Sequence, residues 1–485
     1  MGEGVISLAG DFPAATREAW LKLVDKTLGD RSLDSLTRQT DEGLPIRPLY
    51  RAEDSAAPAY PGIAAREGDR AWDVRTLIAH PDPSRANAEV LEDLEGGASS
   101  VVVRLDPTGK TGVAVGSADG LARVLDGVVI ELASVALDAG FHGVKAADWL
   151  AAAAKSSPGA RLAFHLDPLS ALAQAGSSPG PIEAHLIAAA NAGARFAETY
   201  PKASLFQASG RVVHEGGGGE ALELGFAAAS ALAYAKALVR AGVSMVDAFD
   251  RIGLGLSVDG DYFVSMAKLR AARVVWNRIA SACGASAPAK IEARSSGRML
   301  ARKDPWTNML RLTQAAFAAS TGGADALVMG NFTDAIGLPT GFARRQSRNT
   351  QLVLMDEAHL GRVADPAGGA YYLESLTDEI ARAAWAVLQK IEAGGGVAEA
   401  LASGWIAAEA EKTRAERQAA LTEGKTKLVG VTVYPNPAEA PVQVEAPNAS
   451  AFAVEAPSAR LPGPDASCPP LTPSRTAAPF EEASK

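Results

Sequence analysis

Cysteine, aromatic side chains and long apolar runs are scarce in this sequence. Only two cysteines, Cys283 and Cys468, occur in 485 residues. They are too few and too far apart for a disulfide framework or a cysteine metal site. No uninterrupted apolar run reaches the roughly 18 residues that a transmembrane helix needs, and the N-terminus lacks the pattern of a signal peptide. We therefore expect a cytoplasmic protein in a reducing compartment.

A surplus of positive charge is also absent. The formal net charge is −9 and the pI is about 5.4, so neither nucleic acid nor an anionic membrane surface is an expected partner. Hydrophobic residues make up 47% of the chain and charged residues 21%. This composition is typical of a folded chain with a large core.

Several catalytic motifs are missing as well. The sequence contains no HExxH, GxxxxGK[ST] or CxxC, and the histidines show no zinc-ligand spacing, so we predict no metal site. One GxSxG spelling occurs at Gly176–Gly180, but Pro179 follows its serine and has no N–H for an oxyanion hole. Zinc-protease, P-loop and serine-hydrolase functions are therefore excluded.

From about residue 98, short apolar runs alternate with longer helical patterns. The clearest runs are Ser100–Leu105, Val128–Leu132, Leu162–Leu166, Ser204–Gln207, Gly253–Val258, Lys290–Ala293 and Ala326–Met329. Strand–helix alternation of this length predicts an α/β fold with a parallel sheet, and the number of units favours a closed (β/α)8 TIM barrel over an open sheet.

The organisation predicts four segments. They are an N-terminal arm over 1–70, the barrel over 71–374, a helical linker over 375–434 and a Pro/Ala-rich disordered tail over 435–485. The arm is expected to carry one helix that is capped by Asp11, has Pro13 in its first turn and ends near Leu28. Such arms usually pack on another domain or on a partner subunit.

Three groups of residues are candidates for binding. His165 and His214 follow strand-like runs, where a barrel places its active-site mouth, although buried structural histidines fit the same pattern. Gly216–Gly219 is either a phosphate cradle at a helix N-terminus or a loop that allows close backbone approach. A basic cluster follows another strand and is either a solvated loop or a CoA-phosphate site. Its members are Arg294, Arg298, Arg302 and Lys303.

Longer motifs resemble those of the adenosylcobalamin-dependent acyl-CoA mutases, and of methylmalonyl-CoA mutase most closely. Leu338–Leu352 reads LPTGFARRQSRNTQL, where the family has LPTDFSARIARNTQL, and Asp365–Tyr372 reads DPAGGAYY, where it has DPWGGSYY. Met266–Arg273 and Trp72–Arg75 match two further motifs. The resemblance runs from about residue 10 to 433 and implies an arm, a (β/α)8 barrel that binds a CoA ester along its axis, and a helical linker.

The sequence departs from this family at the positions that carry its chemistry. Leu77 stands where the family has the tyrosine of IRQYAGF. In Ser209–Gly218 the family's SGYHMQEAGA becomes SGRVVHEGGG, so Arg211 replaces a tyrosine and Val212 replaces a histidine. The radical rearrangement needs a donor on the acyl carbonyl, and neither leucine nor valine can donate.

Three further positions differ in the same alignment. Glu292 replaces the histidine of THSQTSGW, and His165 replaces the glutamine of TIQND. His214 takes a glutamine position of SGYHMQEAGA and is not the family's histidine. No Asp-x-His-x-x-Gly occurs, so we expect no cobalamin-binding domain in this chain and no catalytic residue in it.

The resemblance is closest to the small subunit of a heterodimeric methylmalonyl-CoA mutase. It implies that a larger partner chain binds adenosylcobalamin and interconverts methylmalonyl-CoA and succinyl-CoA, while this chain alone is inactive. Two alternatives are a CoA-binding subunit that uses a separate cobalamin-binding chain, and a CoA-ester-binding module without mutase activity. Residual pocket residues would be Arg211, His214, Glu215, Arg294 and Asp334.

Overall fold

The N-terminal arm carries one exposed helix. The computed structural model describes residues 15–54, 62 and 70–482. Helix α1 spans Arg17–Leu28, and the hydroxyl of Thr16 caps it by accepting a hydrogen bond from the N–H of Ala19. The predicted cap Asp11 and the predicted Pro13 lie outside the described residues. None of the 12 residues of α1 is buried.

Between α1 and Asp54, the arm packs on the chain's own barrel domain. Strands β1 (Arg38–Gln39) and β2 (Pro45–Ile46) pair antiparallel and form a short hairpin. Leu44 lies partly buried against the main hydrophobic core. The Tyr50 ring packs at a tilt against the Tyr372 ring, with the ring centres 5.1 Å apart. The hairpin therefore fixes the arm to the domain, whereas α1 extends beyond these contacts.

Eight parallel strands close into a barrel, which confirms the predicted (β/α)8 fold. They are β3 (Asp73–Ile78), β4 (Ser100–Arg104), β5 (Ser134–Asp138), β6 (Leu162–Leu166), β7 (Ser204–Ser209), β8 (Ile252–Val258), β9 (Ile291–Ser295) and β10 (Ala326–Val328). The order around the barrel is β10-β3-β4-β5-β6-β7-β8-β9. Strands β5 and β9 are thus diametrically opposite.

Helices surround the strands and continue beyond them. They are α2 (Pro83–Glu95), α3 (Ala118–Val124), α4 (Gly143–Ala153), α5 (Pro168–Ala175), α6 (Ile182–Thr199), α7 (Arg211–Glu215), α8 (Glu220–Arg240), α9 (Met245–Asp250), α10 (Tyr262–Ala282), α11 (Thr307–Thr321), α12 (Gly341–Leu352), α13 (Tyr371–Ala393), α14 (Val397–Ala402), α15 (Trp405–Thr422) and α16 (Ala478–Glu482). In the part of the chain that the structure describes, one helix, α8, is apolar and long enough to cross a membrane. However, 72% of its most apolar 18-residue stretch is buried in the fold.

One predicted strand was placed wrongly. The run Val128–Leu132 forms a turn whose Leu132 is 84% exposed. The strand at this place is β5, which lies a few residues later and has fewer β-branched residues. The preference of β-branched residues for strands reflects how their side chains pack on a half-buried sheet, not a preference of the backbone. The β-branched residues of this apolar turn therefore led to a wrong strand prediction.

The LPTGFARRQSRNTQL motif forms α12 and is joined to α2 by buried ion pairs. Arg344 and Arg348 both bind Asp93, the second at 2.7 Å, and Arg344 also lies 3.2 Å from Glu89. All four side chains are nearly inaccessible to solvent. Burial raises the pKa of Glu89 to about 7. In this structure the arginines of the motif therefore connect two helices.

Two other family motifs are joined in the same way. Arg270, in MAKLRAAR on α10, binds Asp365 of DPAGGAYY at 3.0 Å and Glu374 at 3.1 Å. The Thr377 hydroxyl accepts a further hydrogen bond from this guanidinium. Helix α13 thereby packs on the barrel with Leu376, Ile380, Ala384 and Leu388 buried, the apolar face that the spacing predicts.

Residues 436–482 form an extended segment, here named the belt, on the C-terminal rim of the barrel. Its backbone N–H groups donate to carbonyls in the loops and short helices that follow the strands: Glu445 to Leu338, Val454 to Pro107, Leu461 to Pro179, Leu471 to Ala173, Ser474 to Glu215 and Thr476 to Arg298. These acceptors follow β10, β4, β6, β7 and β9, and Glu445 also binds Arg85 after β3 at 2.9 Å. The belt therefore runs around most of the rim.

This arrangement differs from the disorder that the composition predicts. The belt has no apolar periodicity with which to build a core of its own, but Leu471 and Ala477 are buried against the barrel. Glu481 accepts hydrogen bonds from the backbone N–H groups of Arg302 and Lys303. The belt is therefore ordered by contacts with loops that are distant in the sequence, and amino-acid composition does not reveal such contacts.

Candidate functional site

Charged side chains meet inside the barrel. Arg75 on β3 binds Glu292 on β9 at 2.7 Å, and Arg294 on β9 binds the same carboxylate at 2.8 Å. Arg294 also binds Asp138 on β5 at 3.0 Å. Since β5 and β9 lie on opposite sides of the barrel, this last ion pair crosses the barrel interior.

The electrostatics of this network are strongly coupled. Burial by itself would raise the pKa of Glu292, but the charges of Arg294 and Arg75 hold it well below its ordinary range. Asp138 also has a lowered pKa, because Arg104 and Arg294 outweigh the effect of burial. Both carboxylates are therefore ionised at neutral pH, and the ion pairs are fully formed.

An apolar layer accompanies the ion pairs within the barrel. Its members are Val102, Ala136, Ala163 and Val328, with Leu77 packed against them. Leu77 is the residue that replaces the family's tyrosine, and here it packs against this layer. Ion pairs and apolar packing thus both lie within the barrel.

The other substituted positions surround this network. His165, the last residue but one of β6, has a positive φ of 46°, which is unusual for a residue other than glycine. Burial lowers its pKa to about 4, so the imidazole is neutral. Arg211 donates from Nε to the Ser209 hydroxyl at 3.1 Å, and burial beside Arg294 lowers its pKa to about 10. Val212 lies partly buried against the hydrophobic core.

The predicted residual pocket residues divide into three places. Arg211 and Arg294 belong to the barrel network. His214 and Glu215 lie on α7 in a neighbouring polar cluster, where Glu215 accepts a hydrogen bond from the N–H of Arg298 at 3.2 Å. Asp334 follows β10, is exposed, and accepts a hydrogen bond from the N–H of Asn331 at 2.8 Å. Their joint role as a pocket stays a prediction.

The basic cluster after β9 is engaged with the protein itself. Arg298 binds Asp259 at 2.8 Å and donates to the carbonyl of Gly218. Arg302 donates to the Ala335 carbonyl, and Lys303 donates to the Phe480 carbonyl in the belt. The sequence predicted either a solvated loop or a CoA-phosphate site here. In the structure these cations connect loops of the barrel to one another and to the belt.

The glycine run Gly216–Gly219 brings the N-terminus of α8 next to an anion supplied by the arm. The Glu42 carboxylate accepts hydrogen bonds from the N–H groups of Ala221 at 2.6 Å and Leu222 at 3.0 Å. A Cβ on Gly219 would lie 2.3 Å from the Glu42 side chain. The helix N-terminus that could have held a phosphate is thus occupied by Glu42.

Replacing Glu42 with alanine is expected to lower the free energy of unfolding by about 1–2 kcal/mol, the range for a lost helix cap. Urea denaturation of the two proteins measures this difference. Asp41→Ala is the matched control, because Asp41 pairs with Arg417 rather than with the helix N-terminus. Asp41 itself is 40% exposed, so we expect this pair to contribute no more than about 1 kcal/mol. Equal losses in both variants would contradict a capping role for Glu42.

Sequence reasoning missed several members of the interior network. Arg75, Arg104 and Asp138 were not selected, although each is a charged residue within a barrel strand. A charge at an inward-facing position of a barrel strand must find a partner, so these residues were detectable in principle. Their specific pairings were not, because the partners lie on other strands, some neighbouring and some across the barrel.

Comparisons with known proteins agree with this architecture. The family described as "Methylmalonyl-CoA mutase" matches residues 39–458. The chain is 38% identical over 463 residues to the methylmalonyl-CoA mutase small subunit of Streptomyces virginiae, covering 91% of this chain and 74% of that protein. It is 35% identical to the small subunit of Propionibacterium freudenreichii subsp. shermanii, covering 89% and 70%. Identity to the methylmalonyl-CoA mutase of Escherichia coli (strain K12) is 29%, covering 86% and 64%.

Proposed function

Because this chain belongs to the methylmalonyl-CoA mutase family, we propose that it is the non-catalytic small subunit of a heterodimeric mutase. A larger partner chain would bind adenosylcobalamin and interconvert methylmalonyl-CoA and succinyl-CoA, in the cytoplasm. The observation that carries this proposal is the Arg294–Asp138 ion pair across the barrel. A thioester threaded along the axis would have to break it and leave buried charges unpaired.

The residues at the barrel mouth support the same conclusion. Leu77 and Val212 offer no hydrogen-bond donor for an acyl carbonyl, and the belt lies on the rim over which a corrin ring would have to bind. The 485 residues contain no Asp-x-His-x-x-Gly from which a histidine could reach cobalt. These residues do not fit the cofactor, so its chemistry is assigned to the partner chain.

The arm supplies a surface for such a partner. Helix α1 buries none of its residues on this chain, and Leu23 is 65% exposed. Trp20, Val24 and Leu28 lie on one side of the same helix and are only partly buried. An amphipathic helix whose apolar side is incompletely covered is suited to docking in a groove of another protein.

Affinity purification of the tagged chain from its host, followed by mass spectrometry, tests the proposal. We expect a stoichiometric larger mutase chain, turnover only when both chains are present, and no detectable binding of succinyl-CoA to the isolated chain. Recovery of a small cobalamin-binding protein, with turnover, would instead favour a catalytic role. Binding of the CoA ester without any partner would favour a separate binding module.

The docking role of α1 has its own test. Leu23→Glu is expected to weaken binding to the large chain at least about tenfold, because it places a charge on an apolar contact worth more than about 1.4 kcal/mol. Lys22→Glu, also exposed on α1, serves as the control for charge alone. Both variants should keep the unfolding midpoint of the isolated chain. Unchanged affinity of Leu23→Glu would exclude this docking surface.

A further inference from the structure

One imidazole and two carboxylates lie together beside the barrel network. His214 comes from α7, Glu220 from the first turn of α8, and Asp259 from the loop after β8. One potential ligand atom of each lies within 4.8 Å of the other two. His214 Nε2 and Asp259 Oδ2 are 3.6 Å apart, close to the roughly 3.4 Å expected between tetrahedral ligands about 2.1 Å from a metal.

The histidine is buried, and one of its ring nitrogens has no hydrogen-bond partner. His214 is fully inaccessible to solvent, its Nδ1 faces Glu223, and its Nε2 makes no hydrogen bond in the structure. A buried polar group in this state costs free energy. A metal ion bound at Nε2 would supply the missing partner.

The surroundings orient the ring. His214 Nδ1 lies 3.2 Å from Glu223 Oε2, and Lys268 Nζ holds that carboxylate at 2.5 Å. A carboxylate behind a histidine is the usual support for a metal ligand. Arg298 binds Asp259 at 2.8 Å. Glu223 and Asp259 thus each have a cationic partner, whereas Glu220 forms no ion pair among the described residues.

We propose that His214 Nε2, Glu220 and Asp259 bind one divalent transition-metal ion, such as Zn²⁺. An imidazole ligand with only two carboxylates favours Zn²⁺ or a similar first-row ion over Ca²⁺ or Mg²⁺, which prefer six or more oxygens. The ion would join α7, α8 and the loop after β8, and would have a structural role. The sequence predicted no metal site, because these ligands are not at motif spacing.

The test uses the full chain with its purification tag removed, stripped with a chelator and reloaded with Zn²⁺ or Co²⁺. We expect one ion per chain by mass spectrometry of the metal after gel filtration, and a visible Co²⁺ absorption band. Loss of a residue that only supports a metal ligand weakens metal binding about 10–100-fold. Because His214 and Glu220 are proposed as ligands themselves, His214→Gln and Glu220→Gln should each weaken metal binding by more than that. Glutamine is the residue that the family motif has at position 214, so His214→Gln is expected to fold.

His80→Gln is the matched control. His80 is also buried and lies 3.5 Å from a carboxylate, that of Glu445, but outside this cluster. It should bind the same amount of metal as the parent chain. Absence of bound metal in the parent chain, or equal binding by His214→Gln and the parent, would overturn the proposal. Circular dichroism of each apo variant verifies that lost binding does not reflect unfolding.

Discussion

Replacing Glu292 with glutamine is expected to lower the free energy of unfolding by about 3–5 kcal/mol, the usual effect of breaking a buried ion pair. Glu292 is 5% exposed and binds both Arg75 and Arg294 inside the barrel. The neutral amide leaves the two guanidinium groups without the carboxylate that they share. Chemical denaturation at neutral pH measures the loss.

The pH dependence gives a second readout of the same interaction. The folded pKa of Glu292 lies well below its ordinary value of 4.5, so its stabilising contribution is complete above pH 4.5 and declines as the pH falls below that value. The stability difference between the parent chain and Glu292→Gln should be constant near neutral pH and shrink in acid. A difference that is independent of pH would contradict the ion-pair account.

Asp250→Asn controls for the loss of a carboxylate. Asp250 pairs with Lys290 at 2.9 Å, close to the start of β9, but both side chains are about half exposed. Surface pairs contribute at most about 1 kcal/mol. A loss comparable to that of Glu292→Gln would mean that burial does not determine the effect.

Replacing Asp93 with asparagine is expected to cost a similar amount, about 3–5 kcal/mol. Asp93 is 1% exposed and binds both Arg344 and Arg348. Glu89 is too far from Arg348 for a direct ion pair in the structure and cannot replace both interactions. Denaturant titration of the full chain measures the loss. Asp378→Asn is the control, since Asp378 is partly exposed and pairs with Arg382, whose side chain is 74% exposed.

A double-mutant cycle separates the ion pair from other effects of the asparagine. Arg348→Met removes the cation and retains apolar volume. If the pair accounts for the loss, the double variant should be more stable than the sum of the two single losses predicts, because neither charge is then left unpaired. Additive losses would indicate that the two side chains act independently.

The sequence predicts the fold well because each βα unit is locally encoded. Apolar runs of about five residues and long helical patterns identify most strands and the helices between them, and the closed barrel confirms this interpretation. The first barrel strand, β3, was recognised only in part, through the Trp72–Arg75 motif. It carries charges at Asp73 and Arg75, which interrupt the apolar run that defines a buried strand.

The site could be predicted only through its substitutions. Leu77 and Val212 are visible in the alignment of short motifs, and that alignment alone indicates loss of a donor. The pair Arg294–Asp138 was not predictable, because its members are 156 residues apart and belong to opposite strands. The contact of Glu42 with α8 was missed for the same reason, since it spans 179 residues.

The belt makes folding of this protein strongly sequential. Its binding sites are loops whose ends are fixed by different strands, so they exist only after the barrel has closed. Its contacts also span great lengths of chain: 360 residues separate Arg85 from Glu445, and 285 separate Gly180 from Asp465. Contacts between residues so far apart in the sequence form slowly, because the entropy cost of closing the loop comes before the contacts stabilise the fold. During synthesis the barrel can therefore close first, and the belt, which follows the barrel in the sequence, then completes the rim.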